Sequence, residues 1–357
     1  MRIAFITGPS PLQTEGPIQA CGLEDYTRCL VEALRQEGVE AHIVAVGKRS
    51  LLRTRSLMQE ALKVRPEAIH IQYPSTYSGA SLVPQALALM SRKVPVLVTL
   101  HEFRYTHLLR RVSCLLFALR SRAVVFTTEG ESQQFSVWYP WARRKSAIIP
   151  IGSNIPFSRE EEDRDPLGVF FFGLMKPEKG LEEFVELVKL ARDKNRPYRF
   201  AIIGAFVPKY ASYYKSIRKS TDDLPITWHL DLPAEQVAVR LARLRFAYLP
   251  LPNGASERNG SLLAALGNGA VVITKQGLQT TNKLSTVVKF ASEPLQALTL
   301  LDDLTSNSEQ VNTLSLQGRE YASQHSWRSL AQAHRRLYED VLLHSSGIDP
   351  APRTPEH

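Results

Sequence analysis

Two lysines, Lys176 and Lys179, lie in the segment 173–181, which reads Gly-Leu-Met-Lys-Pro-Glu-Lys-Gly-Leu. A short apolar run precedes this segment and an amphipathic stretch follows it, so the pattern predicts a strand, a loop and the start of a helix. A lysine near a helix start can neutralise a departing diphosphate. The alternative is an exposed lysine in a polar loop between a strand and a helix.

A second segment, residues 256–269, reads Ser-Glu-Arg-Asn-Gly-Ser-Leu-Leu-Ala-Ala-Leu-Gly-Asn-Gly. Its Asn259-Gly260-Ser261 sequence predicts a helix start whose backbone N–H groups and positive dipole end could bind a phosphate. The small residues Ala264, Ala265 and Gly267 predict a close approach of the helix to the sheet. The alternative is a glycine-capped helix that only packs.

A third candidate is His101, which follows the apolar run 95–100 and is expected at the carboxyl end of a strand. Such a histidine can orient a bound substrate, or it can be purely structural. The Asp163-Arg164-Asp165 triplet has the Asp-x-Asp form that holds a metal–diphosphate when it ends an apolar strand. Here it stands in a charged stretch, so no metal site is expected.

These segments resemble the large family of retaining GT-B glycosyltransferases often called family 4. Lys179 stands where that family has its lysine, whereas Leu174 stands in place of the family arginine, and Lys176 is the nearest substitute. Both donor-site glutamates of the family are replaced, by Ser256 and Ala264. The resemblance therefore implies a donor site with an altered arrangement of polar groups.

The resemblance also implies roles for individual residues. His101, Lys179 and Lys176 would be catalytic, with His101 facing the transferred sugar and the lysines stabilising the diphosphate. Gly22 is the best match to the glycine of the family's loop near the donor phosphates. The implied donor-binding residues are Gly22, Gly173, Ser256, Glu257, Arg258, Asn259, Gly260 and Ser261. The expected reaction is retaining and needs neither a metal nor another cofactor.

The elements that position these residues alternate between short apolar runs and amphipathic stretches, twice over, which predicts parallel sheets covered by helices. The predicted strands are 3–7, 41–46, 68–72, 95–100, 123–127 and 147–151, then 167–172, 200–204, 226–229, 246–251, 270–274 and 287–290. The predicted helices are 23–36, 53–63, 82–92, 106–119, 181–192, 234–244, 261–266 and 327–343. The expected fold is α/β of GT-B type, with two Rossmann-like, doubly wound domains facing across a cleft.

The polar stretch 157–166 marks the join between the two series. The predicted boundaries are an N-terminal acceptor domain at 1–155, a linker at 156–166, a C-terminal nucleotide-sugar donor domain at 167–325, a terminal helix at 326–343 and a disordered tail at 344–357. By resemblance, the terminal helix packs back on the first domain.

Composition and charge limit the cellular setting. The 357 residues are 44% hydrophobic and 22% charged, which is ordinary for a globular chain, and no apolar run is long enough to span a membrane. Three cysteines without metal spacing favour the reducing cytoplasm. Residues 1–155 hold 19 Lys and Arg against 11 Asp and Glu, whereas the remainder holds 25 against 24, so an anionic partner is expected on the first half.

The basic stretch 104–122 contains five arginines and no acidic residue, with leucines between them. It is typical of a helix at an anionic lipid surface, or equally of an ordinary helix that packs on a sheet. Nucleic acid is not expected, because no binding module is evident.

The resemblance thus implies a glycosyltransferase that uses a nucleotide-sugar donor and a glycan or lipid-linked acceptor in bacterial polysaccharide or glycolipid synthesis. It would act in the cytoplasm, with a peripheral location at the inner membrane. One alternative is a catalytically silent scaffold with the same fold, because the family's arginine and both of its donor-site glutamates are missing from this sequence. A nucleotide-sugar epimerase should carry paired carboxylates in the cleft, and these are not found.

Overall fold

The structure is a computed structural model that describes residues 1–7, 22–45, 54–74, 81–104, 106–158 and 164–345. The chain divides into two compact units. The first unit is Met1–Ile151 together with Trp327–His357, and the second unit is Gly152–Ser326. Within the described residues, no helix combines the length and the apolarity that crossing a membrane requires.

The first unit is built on a parallel sheet of six strands in the order β2-β1-β3-β4-β5-β6. These strands are β1 (Arg2–Thr7), β2 (Glu40–Ala45), β3 (Ala68–Tyr73), β4 (Val96–Leu100), β5 (Ala123–Phe126) and β6 (Ser146–Ile148). β1, β3, β4 and β5 are buried along almost their whole length, which is why they read as continuous apolar runs rather than alternating ones.

Helices cover both faces of this sheet. They are α1 (Gly22–Gln36), α2 (Thr54–Lys63), α3 (Val83–Met90), α4 (Leu108–Ser113), α5 (Leu115–Arg120) and α6 (Glu129–Trp138), and a 3₁₀ segment, Pro140–Lys145, follows α6. Residues of α2, α3, α5 and α6 form one core against the sheet. Residues of α1 form another core on the opposite face, together with the last helix of the chain.

The second unit repeats this plan with the strand order β12-β11-β10-β7-β8-β9, again with parallel pairing throughout. Its strands are β7 (Asp165–Met175), β8 (Arg199–Phe206), β9 (Ile226–Leu230), β10 (Leu244–Leu249), β11 (Val271–Thr274) and β12 (Val288–Phe290). Its helices are α7 (Leu181–Asp193), α8 (Ala211–Ser220), α9 (Ala234–Ala242), α10 (Gly260–Gly267), α11 (Asn282–Ser285), α12 (Pro294–Thr305) and α13 (Ser308–Ser323).

The last helix, α14 (Trp327–Ser345), returns to the first unit and packs against α1. Its residues at helical spacing, Leu330, His334, Tyr338 and Val341, are buried there. The expected fold class, α/β with two Rossmann-like sheets, is confirmed. Of the expected loop at 8–22, the terminal tail and the linker, the residues 8–21, 346–357 and 159–163 lie outside the part of the chain that the structure describes.

Two local expectations differ from the structure. The helix expected at 106–119 is two short helices, α4 and α5, which meet at Cys114. Gly267 was expected to allow close approach to the sheet. Instead, a Cβ at Gly267 would lie 2.2 Å from the ring of Phe157, so the bare position accommodates that ring.

Candidate functional site

The turn between β7 and α7 places Lys179 through its backbone. Glu178 has a φ of 72° and Gly180 has a φ of 79°, so two residues of the left-handed conformation flank the lysine. A Cβ at Gly180 would lie 2.1 Å from the carbonyl oxygen of Pro250, which follows β10. Only glycine fits this contact without a shift of the backbone, and the turn is therefore locked against the end of the neighbouring strand.

Lys179 lies in a positive, partly buried environment. Burial lowers the pKa of its ammonium group, and the nearby charge of Lys176 lowers that pKa further, whereas Glu178 raises it. The Lys176 ammonium lies 3.8 Å from the Glu178 carboxylate, which is largely exposed. The repulsion between the two ammonium groups falls when an anion binds between or beside them. The turn is therefore suited to a phosphate ligand.

The loop after β10 leads into α10 and is also shaped by its backbone. Ser256 donates its backbone N–H and its hydroxyl to the Asn259 side-chain oxygen, at 2.6 and 3.0 Å. The first helical hydrogen bond runs from Leu263 to the Asn259 carbonyl, so the N–H groups before Leu263 precede the helical ladder. Gly260 is exposed, and a Cβ there would meet no atom within 4 Å, which leaves the helix start open to a ligand.

Two carboxylates of the second unit are held by neighbouring side chains. Glu257 Oε1 accepts hydrogen bonds from the Thr281 hydroxyl at 3.0 Å and the Tyr321 hydroxyl at 3.3 Å. Lys275 donates to Glu183 at 2.7 Å. Glu257 therefore ties the loop after β10 to helices α11 and α13. Its neighbour Arg258 is half-buried beside it.

The structure brings the predicted residues of the second unit to one edge of its sheet. β7 and β10 are adjacent and parallel, so the turn that carries Lys176 and Lys179 and the loop that leads to Asn259 leave the same carboxyl edge. Gly173, near the end of β7, lies against β8. A Cβ at Gly204 would fall 1.8 Å from the Gly173 carbonyl oxygen, so the two strands are in close contact there.

In the first unit, His101 directly follows β4. Its backbone N–H donates to the Tyr73 carbonyl at 2.8 Å, and its Nε2 lies 2.8 Å from Gln72 Oε1. The Tyr26 ring packs edge-on against the imidazole with 5.0 Å between ring centroids. Gln72 Oε1 accepts from Nε2–H, which sets the tautomer and the orientation of the ring.

A buried carboxylate fixes the loop that follows His101. Glu131 is 2% exposed, and its Oε2 accepts backbone N–H bonds from Phe103 at 2.6 Å and Arg104 at 2.7 Å. Glu131 lies in the first turn of α6, where a negative charge is stabilised by the helix dipole. Sequence reasoning missed this residue, because its contact reaches back 28 positions along the chain.

Sequence reasoning also missed a row of buried polar side chains at the carboxyl ends of β1, β3 and β5. Within the described residues, Thr7 Oγ1, Gln72 Nε2 and Thr127 Oγ1 are buried and have no hydrogen-bond partner. Unpaired buried polar groups are costly, and one of them, Gln72 Nε2, belongs to the side chain that holds His101. The available signal was a polar residue that ends an otherwise apolar strand.

Two further expected features can be located. Gly22 is the first residue of α1, while the rest of its loop lies outside the described residues. Asp165 of the Asp-x-Asp triplet pairs with Arg199, and Arg164 donates to the carbonyls of Gly269 and Asn268. Across the described ranges, no group of three or more His, Cys, Asp or Glu side chains could hold a metal ion.

Solved structures similar to this chain extend over almost its whole length. Sucrose-phosphate synthase from Thermosynechococcus elongatus is 15% identical, with a TM-score of 0.63, and the match covers 96% of this chain and 100% of that one. HepE from Anabaena, crystallised with UDP, is 13% identical with a TM-score of 0.70 and coverages of 95% and 100%. A glycosyltransferase from Rickettsia africae is 10% identical with a TM-score of 0.69 and coverages of 96% and 98%.

No family model matches the sequence, and no curated protein matches it either. At 10 to 15% identity, the structural similarity establishes the fold and leaves the reaction open. The two parallel six-stranded sheets with flanking helices, together with these similar structures, show that this chain has the GT-B fold of glycosyltransferases.

Proposed function

We propose that this protein transfers a sugar from a nucleotide-diphosphate sugar to an acceptor. The observation that carries the proposal is the backbone-locked turn that holds Lys179 at the carboxyl edge of the second sheet, beside the loop that ends in the open start of α10. A lysine and a helix start at the same sheet edge supply the positive charge that a departing diphosphate requires. HepE, a similar structure, was crystallised with UDP and with UDP-glucose, so uridine donors are the first to test.

In this proposal each unit has a separate task. Lys179, supported by Lys176, and the N–H groups at Gly260 and Ser261 stabilise the diphosphate as the glycosyl bond breaks. His101, oriented by Gln72, faces the transferred sugar. The reaction retains the configuration of the sugar, and it uses no metal or other cofactor, since side-chain charge and the helix dipole neutralise the leaving group.

The acceptor in this proposal is a glycan or a lipid-linked glycan in bacterial polysaccharide or glycolipid synthesis. The protein would work in the cytoplasm at the inner membrane, where lipid-linked acceptors are available.

Nucleotide binding and one lysine variant test the proposal. Thermal unfolding with a panel of nucleosides, nucleoside diphosphates and nucleotide sugars should show one preferred base, with the diphosphate stabilising more than its nucleoside. Lys179→Ala should abolish the additional stabilisation by the diphosphate and reduce turnover about 100-fold, the range for losing one preorganised charge.

A matched control is Lys194→Ala, since Lys194 is exposed at the other end of α7. That variant should bind and react like the wild type. A folded Lys179→Ala protein with unchanged diphosphate binding and turnover would remove the central role proposed for this lysine.

One observation favours a second candidate, a catalytically silent partner in a glycan assembly complex. Ala264, at the position of the glutamate that the resemblance associates with the donor ribose, is fully buried, and the Ser256 hydroxyl is bound to Asn259. Neither position offers a carboxylate to a nucleotide. A silent partner would show no stabilisation by any nucleotide in the same panel, whereas the transferase shows one preferred base.

A further inference from the structure

Four apolar side chains of α4 and α5 are exposed to solvent. Leu108 is 63% exposed, Leu109 82%, Val112 50% and Leu119 55%. A helix that only covers a sheet hides its apolar side chains and exposes its charges. In α4 no residue is buried, and in α5 only Phe117 and Ala118 are. The exposed leucines of this region thus need another explanation.

A second stretch of the chain extends the same surface. Val137 at the end of α6 is 74% exposed, and Trp141 in the 3₁₀ segment and Ile148 in β6 are each 50% exposed. Two hydrogen bonds join this stretch to α4 and α5. The Tyr139 hydroxyl donates to the Arg111 carbonyl at 2.6 Å, and the Lys145 ammonium donates to the Ala118 carbonyl at 3.0 Å.

We define the basic apolar surface as the exposed side chains of residues 104–122 and 137–148. Its charge is uniform: the sequence has five arginines between 103 and 128, and Arg143, Arg144 and Lys145 between 132 and 151, with no Asp or Glu in either stretch. Arg120, Arg143 and Arg144 are exposed. Exposed leucines, a tryptophan and valines therefore share these two stretches with exposed cations.

We propose that the basic apolar surface docks the first unit on an anionic phospholipid membrane. Exposed apolar side chains can enter the boundary between headgroups and acyl chains, while the surrounding arginines bind the phosphates of the headgroups. An exposed tryptophan such as Trp141 suits this boundary, because it has an apolar ring and a polar N–H. The one-sided charge favours an anionic lipid over an uncharged protein surface.

This inference deepens the proposed function, because membrane docking would bring the enzyme to lipid-linked acceptors, but the binding itself does not require catalysis. Nucleotide stabilisation and vesicle binding are separate measurements. A wild type that nucleotides stabilise but that does not bind vesicles overturns the docking proposal alone. A wild type that binds vesicles but that no nucleotide stabilises overturns the proposed function alone.

The test is co-sedimentation with phosphatidylcholine vesicles that contain or lack phosphatidylglycerol. The wild type should bind the anionic vesicles and should be released as salt rises, because exposed charges are screened. Arg143→Glu combined with Arg144→Glu should weaken binding by more than about 20-fold, and Leu109→Asn should weaken it roughly 5-fold to 10-fold.

Matched controls lie on the second unit. Leu316 is 64% exposed, so Leu316→Asn removes a comparable leucine elsewhere. Lys215 and Lys219 are exposed on α8, so changing both to Glu alters the net charge as much as the arginine pair does. Both controls should sediment like the wild type.

Three outcomes would overturn the proposal. The first is equal binding to anionic and neutral vesicles. The second is an arginine double variant that sediments like its lysine control. The third is a wild type that does not bind vesicles but forms a dimer in analytical ultracentrifugation. If Leu109→Asn dissociates that dimer, the surface is an interface between two copies of the chain.

Discussion

The two units position their strand-end residues in different ways. In the second unit, Lys179 is placed by backbone geometry, with Gly180 locked against the Pro250 carbonyl. In the first unit, His101 is placed by side chains, since Gln72 holds its imidazole and Glu131 holds the loop that follows it. The backbone lock depends on the left-handed backbone and the missing Cβ of one glycine, whereas the side-chain lock depends on polar side chains from different strands and helices.

This difference determines which substitutions matter in each unit. A backbone lock fails when a glycine gains a Cβ and tolerates changes in neighbouring side chains. A side-chain lock fails when one partner loses a polar atom, even where the backbone is unchanged. Substitution of a glycine and substitution of a polar side chain therefore distinguish the two kinds of lock.

The largest effect is expected for Gly180→Ala. The new Cβ would lie 2.1 Å from the Pro250 carbonyl oxygen and would also have to adopt a φ of 79°. The left-handed conformation costs an L-residue roughly 1 to 2 kcal/mol, and overpacking adds about 1 to 3 kcal/mol. Urea unfolding should therefore show a loss of about 2 to 5 kcal/mol in the second unit.

Gly38→Ala is the matched control for the conformational part of this cost. Gly38 has a φ of 80°, and a Cβ there would meet no atom within 4 Å. Only the left-handed penalty applies, so the loss should be roughly 1 to 2 kcal/mol. Equal losses in the two variants would show that the contact with Pro250 does not lock the turn.

Features with a local sequence signal could be predicted from the sequence. Buried parallel strands read as apolar runs, so the run at 123–127 identified β5 (Ala123–Phe126), and the Pro-Glu-Lys-Gly sequence identified the turn that holds Lys179. Both signals are local. The strands and the position of this loop were therefore accessible from residue types and spacing, whereas the role expected for Lys179 came from the family resemblance.

Contacts between distant residues were not accessible in this way. His70 Nδ1 lies 2.7 Å from the Tyr338 hydroxyl, 268 positions away, and no local pattern pairs these residues. The exposure of Leu109 could not be predicted either, because the same sequence also suits a helix that packs on a sheet. Side-chain networks depend on which elements become neighbours, and that is a property of the fold as a whole.

An intermediate effect is expected at two buried histidines, His334 on α14 and His70 on β3. His334 is fully buried, its Nδ1–H donates to the Leu330 carbonyl, and its Nε2 has no partner among the described residues. Burial lowers the pKa of His334 from 6.5 to about 4, and burial first, then the nearby His334, lowers the pKa of His70 as well.

The sign of the pH effect follows from which state binds protons. Between pH 6.5 and about 4 the unfolded chain protonates His334 while the folded protein leaves it neutral, so stability falls as the pH falls through this window. The contribution of His334 is about 3 kcal/mol when complete. Hydrogen exchange of α14 at a series of pH values should show this loss.

His334→Leu should reduce that pH dependence, and the lowered pKa of His70 should account for what remains. His344 offers a matched control on the same helix, because it makes the same bond to the carbonyl four residues earlier but is exposed. His344→Leu should therefore keep the wild-type slope. An unchanged slope in His334→Leu would show that another group causes the loss at low pH.

The smallest effect is expected for Gln72→Leu, which addresses the side-chain lock directly. Gln72 is 2% exposed, and its Nε2 has no partner in the part of the chain that the structure describes. Leucine has a similar volume and removes both the unpaired donor and the bond to His101. Stability should stay within about 1 kcal/mol of the wild type, because the lost bond is offset by the removal of an unsatisfied group. Turnover should fall about 10-fold, because the side chain that the proposed function assigns to the transferred sugar loses its orientation.

Glu178→Gln supplies the contrast in the second unit, since Glu178 is the ion partner of Lys176 but the turn is held by its backbone. That variant should stay within about 2-fold of wild-type turnover, because an exposed ion pair contributes little.

Nitrogen-detected NMR of His101 provides a readout without catalysis. Its Nε2–H tautomer should dominate in the wild type and in Glu178→Gln, and should lose that dominance in Gln72→Leu. If Gln72→Leu keeps both the tautomer and the turnover, His101 is positioned by the backbone as Lys179 is, and the contrast between the two units does not hold.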